Sequence, residues 1–154
     1  MISTSTTDRE HATESPPTAP IVSAADGTAA SRPAIEEAVD LARELEAPIV
    51  FVYVRRGPPG FLGTPLYQTR LTGEMARARG VLAEAIATAE QAGVEADGEI
   101  LEGSPKRRIS EFARDRAARL VVVGSRRRRL TPSVSAGVIR TAGRPVIVAG
   151  SLAG

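Results

Sequence analysis

Apolar positions in this chain switch between a strand period and a helix period, and the switch recurs across residues 20–149. Pro20-Ile21-Val22-Ser23-Ala24-Ala25 reads as a short strand ending at Asp26-Gly27, a turn dipeptide. Ile35, Ala38, Val39, Ala42 and Leu45 then share one face of a helix. Ser31 is placed to cap its start, and Pro33 is tolerable in the first turn. Residues 49–54 are continuously apolar and rich in β-branched side chains, as expected of a strand covered on both faces. Glycine and proline crowd 55–70, which predicts a loop. Leu71, Met75, Ala78, Leu82, Ala85, Ile86 and Ala89 mark a long helix that stops at Gly93. Residues 94–101, interrupted by Gly98 and carrying acids, predict a weaker strand at a sheet edge. Ser104-Pro105 is a cap followed by proline at the first helical position, and Ile109, Phe112 and Ala113 supply that helix's apolar face. A strand over 120–123, a helix over 132–142 and a strand over 146–149 complete the pattern.

This alternation of strands and helices predicts a three-layer α/β/α domain around a parallel sheet. Parallel strands need crossover connections, and the right-handed rule leaves few topologies. The length of 154 residues fits a single domain, assigned to 20–150. Residues 1–19 are rich in Ser, Thr, Pro and charge, with almost no large apolar side chains. Such a segment cannot offset its ordering entropy, so a disordered tail is expected there, with a short second tail at 151–154. The first residues lack a basic start followed by an apolar run, and no stretch approaches the ~18 apolar residues of a membrane span. The expected location is the cytoplasm.

Cysteine is absent, and His11, the only histidine, lies in the tail. Disulfides, thiolate metal sites and Ser-His or Cys-His catalysis are thereby excluded. Asp26 has no paired acid or base nearby in sequence, so no enzyme is expected. Binding remains. The apolar strand at 120–123 feeds Gly124-Ser125, and a helix start follows at Thr131-Pro132-Ser133-Val134-Ser135. A strand, a glycine turn and a helix N-terminus in that order are where α/β proteins hold phosphate, on free N–H groups and the helix dipole.

The net charge is only +2, but nineteen of the twenty basic residues are arginine, and their placement matters more than their sum. Arg55 and Arg56 follow the second strand, Lys106, Arg107 and Arg108 the third, and Arg126 to Arg129 the fourth. In a parallel sheet all three groups converge on one edge. They either meet a phosphate-bearing ligand, which arginine contacts bidentately, or are solvated and paired with Glu99, Glu102 and Glu111. Nucleic acid is disfavoured, because single-strand binding uses aromatic platforms. With Phe51 and Phe112 assigned to the core, only Phe61, Tyr53 and Tyr67 remain.

Four segments together carry a family resemblance. The first is Asp26-Gly27-Thr28 followed by Ala34, Ala38-Val39, Leu41-Ala42 and Leu45. The second runs from Gly93-Val94-Glu95 through Glu102-Gly103-Ser104-Pro105 to Ile109 and Ala113. The third is Leu120-Val121-Val122-Val123-Gly124-Ser125-Arg126. The fourth is Ser133-Val134-Ser135, then Val138-Ile139-Arg140 to Pro145-Val146-Ile147-Val148. At these spacings the chain resembles the universal stress protein family over nearly all of 20–149. The resemblance implies a Rossmann-like, adenine nucleotide alpha hydrolase-like fold with sheet order 3-2-1-4-5. It implies a regulatory role in the stress response and frequent dimers along the last strand, here Val146, Ile147 and Val148. That apolar edge would otherwise be exposed. Some members bind ATP and others do not.

ATP-binding members carry the pattern G-x2-G-x9-G-[S/T]. Gly124 matches its first glycine, whereas Arg127 stands where the second belongs. Nine more residues lead to Gly137-Val138, but that alignment leaves seven residues before Pro145, too few for the closing helix. Aligning Pro132-Ser133-Val134-Ser135 with the family's G-S-V-S restores the distance and shortens the loop by about five residues. Arg127 gives up glycine's close approach, and Pro132 removes an N–H donor. The resemblance thus implies Asp26, Val52 and Gly103 around the adenine and ribose. Gly124, Arg126, Arg127, Ser133, Val134 and Ser135 would be at the phosphates. The ligand would be ATP or AMP with Mg2+, held weakly or not at all. Asp26 reads equally well as a turn aspartate, and Val52 and Gly103 as packing residues. A nucleotide sensor that uses its arginines in place of lost backbone donors, and a low-affinity nucleic-acid binder, stand as alternatives.

Overall fold

The computed structural model describes residues 19–57, 62–124 and 142–149. Strands β1 (Ile21–Ala24), β2 (Ile49–Arg55), β3 (Ala96–Glu102), β4 (Leu120–Gly124) and β5 (Val146–Ala149) form one parallel sheet in the order β3-β2-β1-β4-β5. Helices α1 (Ser31–Leu45), α2 (Pro65–Gln91) and α3 (Pro105–Asp115) connect β1 to β2, β2 to β3 and β3 to β4. The expected order 3-2-1-4-5 is the observed one. The helix expected over 132–142 lies outside the described residues except for Ala142, as do Phe61 and both tails except for Ala19, which is buried.

Side-chain alternation along the strands divides the core into two layers. Ile21, Ile49, Phe51, Leu120 and Val122 face α1 and α2, where Ala34, Ala38, Ala42, Leu82, Ala85 and Ala89 receive them. Val22, Val50, Val52, Val121 and Val123 face the other way, onto Ile109 and Ala113 of α3. Alanine-rich helix faces let the helices close onto the bulky strands. Burial of Phe51, which has no exposed surface, is worth about 1.5–3 kcal/mol. Phe112 is only half-buried, against the second layer, with the Arg116 guanidinium 5.0 Å from its ring centroid.

Several element limits differ from expectation. Helix α2 begins at Pro65, inside the stretch expected to be loop. Thr64 caps it, its hydroxyl accepting from the Tyr67 N–H at 3.3 Å, and Pro65 fits the first turn, where no N–H is needed. Ser31 does not cap α1. Ala30 holds the cap position, and Ser31 is the first helical residue, buried, its hydroxyl donating to the Thr28 carbonyl at 2.9 Å. Ser104 occupies the cap position of α3 but makes no side-chain cap bond. Strand β3 runs two residues later at its start than expected, from Ala96, and is an edge strand. Gly98 within it marks the close passage of α2. A Cβ there would lie 3.2 Å from Ile86 Cδ1 and 3.3 Å from Leu82 Cβ.

Candidate functional site

The carboxyl ends of the parallel strands β1, β2, β3 and β4 lie at one edge of the sheet, the edge at which open α/β sheets bind ligands. At the first exit the Ala25 N–H donates to the Val52 carbonyl at 2.9 Å, extending the ladder one residue beyond β1. The chain then turns on Asp26. One carboxylate oxygen, Oδ1, accepts from the Thr28 N–H at 2.9 Å and from the Thr28 hydroxyl at 2.6 Å. This is an aspartate-stabilised turn that delivers the chain to α1. Asp26 is half-buried.

The exit from β4 is built against the same α1 start. A Cβ on Gly124 would sit 2.4 Å from the Ala30 carbonyl oxygen and 3.0 Å from its carbon. Only hydrogen at that position lets the strand end and the helix start pack together. Gly103, after β3, has φ +128°, a conformation that disfavours any side chain, and its N–H donates to the Arg55 carbonyl at 2.9 Å. The Val52 side chain is 1% exposed and belongs to the core layer with Val22, Leu101 and Ile109. Asp26 and Gly124 thus both abut the start of α1, Val52 joins them through Ala25, and Gly103 stands one strand further out, beyond Arg55. Arg126, Arg127, Ser133, Val134 and Ser135 lie outside the described residues.

The acids named from sequence are all engaged. Arg55 Nη2 donates to Glu102 Oε2 at 2.8 Å, Arg107 Nε to Glu111 Oε1 at 2.7 Å, and Arg108 Nη1 to Glu111 Oε2 at 2.6 Å. Glu99 pairs with Arg116 at 3.0 Å. The hydrogen bond from Arg107, with that from Arg108, holds the Glu111 carboxyl below its ordinary pKa; the same Glu111 bond raises Arg107. Pairing does not exhaust the arginines. Arg55 Nη1 and Arg108 Nε are buried without a hydrogen-bond partner. Thr28 and Ala30 were not anticipated as site residues. No sequence motif marks Ala30, but Asp26-x-Thr28 is the local signal of a side-chain-closed turn.

A model described as the universal stress protein family matches residues 18–150. The chain belongs to that family. It is 35% identical over 136 residues to universal stress protein MJ0531 of Methanocaldococcus jannaschii, a match covering 83% of this chain and 79% of that one. Among solved structures it is similar to a universal stress protein family member from Burkholderia pseudomallei, with TM-score 0.71 and 26% identity over 88% of this chain and 98% of that chain. It also shares the fold of the universal stress protein from Archaeoglobus fulgidus in complex with dAMP, with TM-score 0.66 and 21% identity over 85% and 96% of the two chains. Among the described residues of this family member, no helix is long and apolar enough to cross a membrane.

Proposed function

We propose that this universal stress protein is a cytoplasmic, homodimeric, non-catalytic regulatory module whose adenine-nucleotide site is weakened or lost. The observation that carries this reading is the pair of departures at Arg127 and Pro132, and Gly124, the glycine that remains, has a packing role of its own. Its lack of a side chain is already required by the Ala30 carbonyl, 2.4 Å from where a Cβ would lie, so the glycine needs no ligand to explain it. Asp26 Oδ1 is likewise engaged by Thr28, and Val52 packs in the core. Arg127 and Pro132 replace glycines of the phosphate-binding pattern, which removes close approach and one N–H donor. The relative from Archaeoglobus fulgidus binds dAMP, so the fold retains the capacity and the change here lies in the residues.

The competing reading is a nucleotide sensor whose arginines substitute for the lost donors. The cations after β2 and β3 at the carboxyl edge favour it. The two separate on Arg127→Ala, assayed by titration with ATP and AMP with and without Mg2+. A sensor loses affinity in that variant, whereas a degenerate site has none to lose. The homodimer of this reading would pair along β5, supported by its edge position and by Val148, which is 39% exposed. A monomer by light scattering at micromolar concentration refutes it. Flat titrations with a non-specific oligonucleotide at low salt would remove the nucleic-acid alternative.

A further inference from the structure

The corner where β2 and β3 end and α3 begins gathers Arg55, Arg56, Lys106, Arg107 and Arg108, against the carboxylates of Glu102 and Glu111. Parallel register places Arg55 beside Glu102, and Gly103 follows directly. Gly103 links the two arginines that matter most. Its N–H bonds the Arg55 backbone, and its bare Cα accommodates the Arg108 stem, whose Cγ would lie 3.1 Å from a Cβ there. Each of these guanidinium groups has one carboxylate partner and one buried nitrogen, Arg55 Nη1 and Arg108 Nε, with no acceptor. Buried donors are nearly always satisfied, by protein, water or a bound ion. The first turn of α3 adds to the field. It carries three cations and no acid, which its dipole opposes, and Ser104 does not cap it.

The Arg55–Glu102 pair is unequal. The arginine side chain is 14% exposed and held by packing, whereas the glutamate is 61% exposed. An anion can therefore displace the carboxylate without moving the guanidinium. We infer that this corner is a binding site for a small multivalent anion, inorganic phosphate or a phosphate monoester, held between Arg55 and Arg108. It uses the cations after β2 and β3 on which the sensor reading also draws, but it needs no residue of the segment 125–141. Planar guanidinium forks suit tetrahedral oxyanions, and the five cations outnumber the two carboxylates.

The test is calorimetric titration of the full chain with inorganic phosphate at constant ionic strength, with chloride as the matched control. Saturable binding is expected, weakened about tenfold or more in Arg55→Gln and in Arg108→Gln, since each loses a charge-assisted contact. Arg108 is 39% exposed, so its variant keeps the test valid if Arg55→Gln fails to fold. Glu102→Gln removes the competing carboxylate and should tighten binding. Equal effects of chloride, or undiminished affinity in both arginine variants, would each overturn the site. A parallel titration with glycerol 3-phosphate assigns the source: tighter binding than phosphate indicates an ester, equal or weaker binding the free ion.

Discussion

Replacing Gly124 by alanine tests whether the carboxyl edge is held together by packing before any ligand arrives. The added Cβ would stand 2.4 Å from the Ala30 carbonyl oxygen, 3.0 Å from its carbon and 3.5 Å from Ser31 Cα. All three are backbone atoms, so no rotamer change relieves the contact. The α1 start cannot easily retreat either. It is tied by Thr28 to Asp26 and by Ser31 to Thr28, and Ala34 behind it is fully buried. Either β4 or α1 must shift by the better part of an ångström. Overpacking of this kind costs about 1–3 kcal/mol, and a purely backbone clash belongs at the upper end, near ~3 kcal/mol. That is a large share of a typical total stability of ~5–15 kcal/mol. Urea unfolding followed by circular dichroism reads it as a lower midpoint at unchanged slope. Gly80→Ala is the internal control. It lies within α2, a Cβ there meets nothing within 4 Å, and the exchange should stabilise by about 0.5–1 kcal/mol. A Gly124→Ala variant within about 0.5 kcal/mol of the parent would refute the packing argument, because surface-like tolerance is of that size.

Two further outcomes follow from named atoms. Ser23 is fully buried in β1, register-paired with Phe51 and Val122, and its hydroxyl has no partner, so Ser23→Ala should raise stability by about 1 kcal/mol. A lower urea midpoint in that variant would mean that the hydroxyl is satisfied after all. Glu111 has its pKa lowered chiefly by the Arg107 hydrogen bond. Its contribution is therefore complete above the ordinary carboxylate range and is lost as pH falls through and below that range, so Glu111→Gln should flatten the acid limb of a stability–pH profile. An unchanged acid limb would show that the pair does not couple to folding.

The sheet was readable because its strands are long apolar runs separated by helical periods. Residues 49–54 and 120–123 admit little else, and their two-sided burial confirms why no alternation appears. Helix α2 was harder to bound, for a physical reason. Its buried residues are Ala78, Leu82, Ala85 and Ala89, so the first three turns pack against little, and Leu66 is 60% exposed. Periodicity is silent where nothing is buried. The cue that did exist was Thr64-Pro65, the same cap-and-proline signal that marked Ser104-Pro105. At the site, sequence named the acids that pair with arginines, and the register of β2 against β3 accounts for Arg55 and Glu102 meeting across 47 residues. What sequence could not give was the contact of Gly124 with Ala30. A strand end and a helix start, far apart in the chain, meet there, and neither carries a motif for the other.

The most direct test of the account is calorimetric titration of the purified chain with ATP and AMP, each with and without Mg2+. A weakened or lost nucleotide site predicts no saturable heat, or a Kd weaker than about 100 μM, equivalent to roughly 5.5 kcal/mol. Saturable binding tighter than that would contradict it and would mean that the arginine-lined edge is a working nucleotide site.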